Sequence, residues 1–334
     1  MARSHLTLAA LATAAVDGLD VRQVGSYDTG DNGDFDSAII TGGDGRHFVV
    51  RVPTTERAEN EQSADIQSLS ALSTGVRGRL PFEVSKIVGQ TAVDSTRAVV
   101  FEHVYGDPVH LASIPAGEGL ATSIGRAIAA IHMLPTSFVA DAGLPVRAPH
   151  EVLRAVSILM DRASATSLVP ATLLGRWERA TEDTALWQFV PTVVNGSIST
   201  SSFRQTGGEV CGVLGWQSLA VDDPAQDLFW AMGAPDSVAQ SIVDSYQLAR
   251  GSSDRQIVQR ARLYAELQLA KWLLHGTQTR DNEVIDDAVS MLHNLVDRVE
   301  NNLDKNITHD TIPVMAVDEV EAMLDARDRR SDSA

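Results

Sequence analysis

The placement of its two hydrophobic periods constrains this chain more than any other feature. Up to about residue 105, apolar residues alternate in short runs at 19–27, 35–41, 47–52, 80–89 and 98–104. Separators rich in Gly, Asn and Asp at 28–33 and 42–45 stand between the first three runs, and such residues tolerate the positive φ of tight turns. These spacings predict an antiparallel meander, interrupted by one helix at about 58–72 with Ile66, Leu69 and Leu72 on one face. Beyond residue 106 the apolar residues recur at helical spacing, at 117–134, 151–163, 171–187, 237–248, 254–275 and 283–302, with another helix start at Asp227. A short β-rich island at 192–219 lies among them. Strands first and helices after them are the pattern of an α+β fold, and they argue against a doubly wound parallel sheet.

A formal net charge of -17 over 334 residues argues against a nucleic acid or an anionic membrane surface as partner. It leaves cationic small molecules or a protein as the expected partners. The single cysteine, Cys211, can close no internal disulfide and fits a reducing, cytoplasmic setting. The apolar run at 6–16 has the look of a secretory signal. We read it instead as a helix, because Ser4 is a natural N-cap and Leu8, Leu11, Ala12 and Ala15 keep helical spacing. No apolar stretch reaches the roughly 20 residues that cross a bilayer. Residues 303–334 are polar and charged, with one weakly amphipathic piece at 317–324, and are expected to form a mobile acidic tail.

Short motifs then narrow the fold. Residues 100–109 (VFEHVYGDPV), 124–135 (IGRAIAAIHMLP), 191–202 (PTVVNGSISTSS), 212–217 (GVLGWQ) and 221–230 (VDDPAQDLFW) follow one another in this order. In order and spacing they resemble the hinge, the following helix, the catalytic loop H-G-D-x-x-x-x-N, the metal-binding Asp before Trp, and the G-D-P-x-x-D-L-A segment of the aminoglycoside/macrolide phosphotransferase family. The resemblance covers about residues 5–300 and implies a protein-kinase-like, two-lobed α+β fold. Its lobes would be a small five-stranded antiparallel N-lobe with one helix (1–104) and a larger, mainly helical C-lobe (105–302). It also implies ATP or GTP with Mg²⁺ as cofactors, and Arg51, Asp65, Glu102 and Val104 as the residues around the nucleotide. Glu61, one turn before Asp65, is the other candidate partner for Arg51.

The family's chemistry does not carry over onto this chain. Ser197 stands at the base position, Asn195 at the loop His, Ser202 at the metal-binding Asn and Gly215 at the metal-binding Asp. A serine hydroxyl cannot replace a carboxylate base, and glycine offers no side-chain ligand. Asp222 and Asp223 are possible substitute metal ligands, whereas Asp227 reads as a loop anchor. His132 reads as a satisfied helix C-terminal residue, Trp187, Trp230 and Trp272 as core, and His275-Gly276 as a helix cap. The turn at 30–33 lacks a G-x-G-x-x-G pattern, so a phosphate cover and a plain hairpin both remain open. The leading expectation is a catalytically impaired, pseudokinase-like protein that binds a ligand or partner. An active phosphotransferase with rewired metal and base residues, and a purely structural interaction protein, are the alternatives.

Overall fold

The computed structural model describes residues 3–27, 34–251, 254–301 and 307. The turn at 30–33 and the tail expectations, including 317–324, therefore lie outside the described residues. Ser4 starts helix α1 (His5–Ala15) by accepting a hydrogen bond from the Thr7 amide at 3.2 Å, as a short hydroxyl side chain at an N-cap does. The alternating runs then form β1 (Val21–Ser26), β2 (Phe35–Gly42) and β3 (His47–Pro53). Next come α2 (Glu56–Ala71), the single turn α3 (Thr74–Arg77), β4 (Glu83–Val84), β5 (Ile87–Val93) and β6 (Thr96–Glu102). Five of these strands make an antiparallel sheet in the order β1-β2-β3-β6-β5.

Alternation assigns the two faces of that sheet. Ala38, Ile40, Phe48, Val50 and Val100 fall on one face and pack under Leu8 and Ala12 of α1 in a core of their own. Val99 and Phe101 fall on the other and join Leu69 and Leu72 in the main core. The same parity puts Arg51 on the α2 side. The lobe thus carries the expected α1 and α2, and the single turn α3 besides.

The expected strand at 80–89 is split. Arg77 donates from Nη1 to the carbonyls of Val84 and Ser85, at 2.8 and 2.9 Å, so these acceptors are taken by a side chain instead of a strand neighbour. β4 leaves the lobe's sheet and pairs in parallel with β10 of the second lobe.

The second lobe consists of β7 (Asp107–Pro108), α4 (Leu120–His132), α5 (Ser137–Asp141), α6 (Pro149–Ser164) and α7 (Ala171–Glu182). The β-rich island follows as β8 (Thr192–Val194), β9 (Phe203–Thr206), β10 (Glu209–Val213) and β11 (Ala220–Asp222). The chain continues with α8 (Asp236–Arg250), α9 (Ile257–Thr279) and α10 (Asn282–Glu300). The island forms two sheets, β4-β10-β9-β7 and β11-β8. A buried ion pair, Arg176 to Glu266 at 2.9 Å, fastens α7 to α9, and Trp177 donates to the same carboxylate. Trp187 is core as expected; Trp272 instead lies partly exposed, stacked on His275.

Three boundaries differ from expectation. α7 stops at Glu182, before Trp187. Asp227 ends a short 3-10 turn, Pro224–Asp227, and no α-helix begins there. Gly276 is not a cap: α9 runs past it to Thr279, and Arg280 takes the left-handed φ of 58°. Glycine is needed at 276 for proximity, since a Cβ there would lie 2.9 Å from the side chains of Val284 and Ile285 in α10. Gly276→Ala should therefore lower stability by about 1–3 kcal/mol through overpacking, despite alanine's better helix propensity, as read by urea denaturation.

Candidate functional site

Between β8 and the 3-10 turn at Thr200–Ser202, the chain makes a loop whose backbone is held from below by one carboxylate. Asp227 is fully buried. Its Oδ2 accepts the Asn195 amide at 2.8 Å and its Oδ1 the Gly196 amide at 2.7 Å. His132, also buried, places Nε2 3.1 Å from Oδ2, while its Nδ1 meets the Tyr246 hydroxyl at 2.9 Å. Both imidazole nitrogens are thereby engaged in the interior, and His132 does not reach Ser197. Gly196 is obligatory in this loop: its φ is +78°, and a Cβ would come within 2.5 Å of the Ser218 carbonyl oxygen.

Above the anchor, three of the sequence-derived site residues close on one another. Asn195 donates from Nδ2 to the Gly215 carbonyl at 2.8 Å, and its Oδ1 accepts the Ser197 amide at 3.1 Å. The Ser197 hydroxyl has the same Oδ1 at 3.1 Å and the Gly215 carbonyl at 3.3 Å as acceptors. Gly215 has φ +72°, and a Cβ there would lie 3.3 Å from Gln217 Oε1. The next residue, Trp216, donates its amide to Asp65 at 2.8 Å. Burial raises the Asp65 carboxyl's pKa, against that amide and the nearby Arg51 charge, which lower it. Asp65 thus lies near enough to Arg51 to feel its charge, with its carboxylate bonded to the Trp216 amide. The Arg51 guanidinium carbon lies 3.9 Å from the centre of the Phe35 ring, a cation–π contact.

Ser202 turns inward as well, its Oγ accepting the Ser199 amide at 3.2 Å. Glu102, the last residue of β6, and Val104, two residues beyond it, lie apart from this group. Glu102 reaches Lys86 at 3.3 Å on the surface. Val104 is buried against Gly212, whose added Cβ would meet Val104 Cγ1 at 2.3 Å. Arg204, two residues after Ser202, lies buried and donates to the Ser201 and Phe203 carbonyls, and its charge lowers the pKa of His103 on the connector, behind the effects of burial and of His47.

The acidic pair after β11 is committed elsewhere. Asp223 is fully buried; Oδ2 accepts from Arg260 Nε and from the Tyr264 hydroxyl, each at 2.7 Å, and Oδ1 accepts the Ala225 amide at 2.9 Å. Asp222 is held by Arg147 at 2.9 Å and by Gln226 at 2.7 Å. Burial nevertheless pushes its carboxyl from the ordinary 3.8 up to about 6, outweighing the Asp223 amide and Arg147, with Asp223 and Asp227 adding repulsion.

A cavity opens on the side of the loop facing α6 and α9. Gly196, Ser197 and Ile198 form one wall, and Arg147, Val156, Leu159, Gln226, Phe229, Tyr264, Leu267 and Lys271 contribute others. Sequence reasoning missed these last residues because they come from distant segments. The available signal was the spacing of Tyr264, Leu267, Gln268 and Lys271, which shares one helix face.

The family model described as the phosphotransferase enzyme family matches residues 30–270. This chain belongs to that family. Macrolide 2'-phosphotransferase MphH from Brachybacterium faecium, solved as the apoenzyme, superposes with a TM-score of 0.72 at 20% identity, covering 86% of this chain and 98% of that one. Macrolide 2'-phosphotransferase type I gives 0.68 at 22% identity, covering 86% and 95%. The GDP complex of wild-type aminoglycoside 2'-phosphotransferase-IIIa gives 0.72 at 16% identity, covering 90% and 100%. Comparison with curated proteins returned no match. At these identities the structures show the fold, which is the two-lobed, protein-kinase-like α+β arrangement expected from the motifs.

In this phosphotransferase-family chain, Asp227→Ala should cost more than about 3 kcal/mol, because two buried amides and an imidazole lose one acceptor; thermal or urea unfolding reads the loss. Asp222 supplies a pH test. Its folded pKa is raised, so its contribution to stability is complete below 3.8 and is lost as pH rises through about 6. Relative to Asp222→Asn, the wild type should lose about 2–3 kcal/mol between roughly pH 4 and pH 7, measured by urea denaturation across that range.

Proposed function

We propose that this chain is a catalytically impaired phosphotransferase that works by binding a small-molecule ligand or a protein partner, in a cytoplasmic setting that suits its lone thiol. The observation that carries this reading is the closed group of Asn195, Ser197 and Gly215, in which the donors at the base position are spent on neighbouring backbone and amide oxygens. Phosphoryl transfer depends on a base or water-positioning group and on metal ions that neutralise developing charge. Ser197 supplies no carboxylate to accept a proton.

The residues present do not fit a Mg²⁺ ion at the family's position. Ser202 Oγ already accepts the Ser199 amide, and Gly215 offers a carbonyl that already accepts from Asn195. Among the described residues, no three His, Cys, Asp or Glu side chains are grouped to hold a metal. We derive no catalytic step through such an ion. ATP or GTP is therefore expected to bind no tighter with Mg²⁺ than without it.

A rewired centre on Asp222 or Asp223 finds no support in the geometry, since Arg147, Arg260 and Tyr264 already neutralise or occupy those carboxylates. The structural-interaction alternative assigns docking to the helical lobe or to residues 303–334, and nothing in the described lobe favours it. No described helix is long and apolar enough to cross a membrane.

Incubation with labelled ATP or GTP, Mg²⁺ and a panel of kanamycin, erythromycin and simple sugars should give no transfer above a protein-free control. Turnover that disappears in Ser197→Ala would overturn the reading. Ser197→Asp alone should not restore transfer, because a base is worth about 10²- to 10⁴-fold only when the metal-dependent terms are also present.

A further inference from the structure

The cavity beside Ser197 carries a local charge opposite to that of the whole chain. It encloses about 330 Å³, within the range of small-molecule sites. Val152, Val156 and Leu159 of α6 face Phe229 and Leu267 across it. Arg147 and Lys271 are its charged lining residues, and among the described residues no Asp or Glu lines it. Arg147 is balanced by Asp222, which lies behind it at 2.9 Å. Lys271 is different: among the described residues no carboxylate lies within ion-pair distance of its ammonium. Lys271 stands at the exposed rim of the cavity, and partial desolvation, then the neighbouring Arg147 charge, hold its ammonium below its ordinary pKa.

We propose that this cavity takes an amphipathic organic anion, an apolar body bearing one carboxylate, with Lys271 as its counter-ion and the α6, Phe229 and Leu267 surfaces as its seat. The proposal rests on the reading of this chain as a ligand-binding protein, and it is independent of whether phosphate is transferred. The chain's net charge of -17 would steer cations toward the protein at long range. That field is screened over about 8–10 Å at ordinary ionic strength, whereas Lys271, at the cavity rim, meets an occupant at contact distance. A cationic occupant would add a third positive charge beside Arg147 and Lys271, and like-charge juxtaposition of that kind is a means of rejecting a wrong ligand. An anion instead supplies the counter-charge that the fold omits. The net-charge expectation of a cationic ligand is thereby reversed at this cavity.

The test is a charge ladder on one apolar body: phenylhexanoate, phenylhexanamide and phenylhexylamine, titrated into the intact chain by calorimetry near neutral pH without nucleotide. The carboxylate should bind at least about tenfold more tightly than the amide, a difference of about 1.4 kcal/mol, and the amine should bind most weakly. Lys271→Gln should bring carboxylate and amide to within about twofold of each other with the melting temperature unchanged. Val156→Trp, which fills the cavity, should weaken all three. Binding of the amine as tight as that of the carboxylate, an undiminished carboxylate preference in Lys271→Gln, or no binding by any probe would each overturn the proposal. Phosphate transfer accompanied by a carboxylate preference would sink catalytic impairment and leave this site standing; an inert chain that prefers the amine would do the reverse.

Discussion

The Asp227 carboxylate, buried beneath the loop that follows β8, is the interaction on which the rest of the site depends. Two consecutive backbone amides, those of Asn195 and Gly196, point into it, and His132 closes it from the side. A buried carboxylate is costly unless its lone pairs are used, and here three donors use them. The loop's path is therefore fixed by a residue that takes no part in any chemistry above it. His132 passes the constraint on through Tyr246 of α8, so the loop is tied to the packing of α4 and α8.

The anchor lies apart from the groups that stand above it. Ser197 and Asn195 sit on this anchored backbone, and the Asn195 side chain adds its own bonds to the Ser197 amide and the Gly215 carbonyl. Their donors have instead found partners in each other and in the Gly215 carbonyl. Arg260 shows the same economy on the other side of the loop: its guanidinium neutralises Asp223 and Asp254 in the interior, so the acidic run after β11 is structural. The cavity toward α6 and α9 shares these bonds, since Gly196 rests on Asp227, Tyr264 on Asp223 and Arg147 on Asp222.

Much of this was legible in the sequence, for identifiable reasons. Ser4 declared α1 because an N-cap leaves a local signature. Leu69 and Leu72 set the buried face of α2, and Asp65 on that helix reaches the Trp216 amide. The spacing from Asn195 to Asp227 gave the loop and its anchor. The split of the strand at 80–89 was hidden, because the cause is a side chain, Arg77, reaching carbonyls seven and eight residues away. Gly276 misled because a glycine after histidine near a helix end has the chemistry of a cap, while its use is proximity to α10. The cavity was the least legible part. Arg147, Phe229 and Lys271 come from separate elements, and only folding makes them neighbours.

Gly215 constrains which residue its turn can hold. Its backbone sits at φ +72°, with Gln217 Oε1 at 3.3 Å from where a Cβ would stand. A carboxylate placed there by substitution would meet a left-handed conformation that costs L-residues of order 1–2 kcal/mol. The incoming oxygens would also have to contend with the Asn195 and Ser197 donors already satisfied at that carbonyl. Backbone conformation, as well as side-chain chemistry, thus selects glycine at this turn.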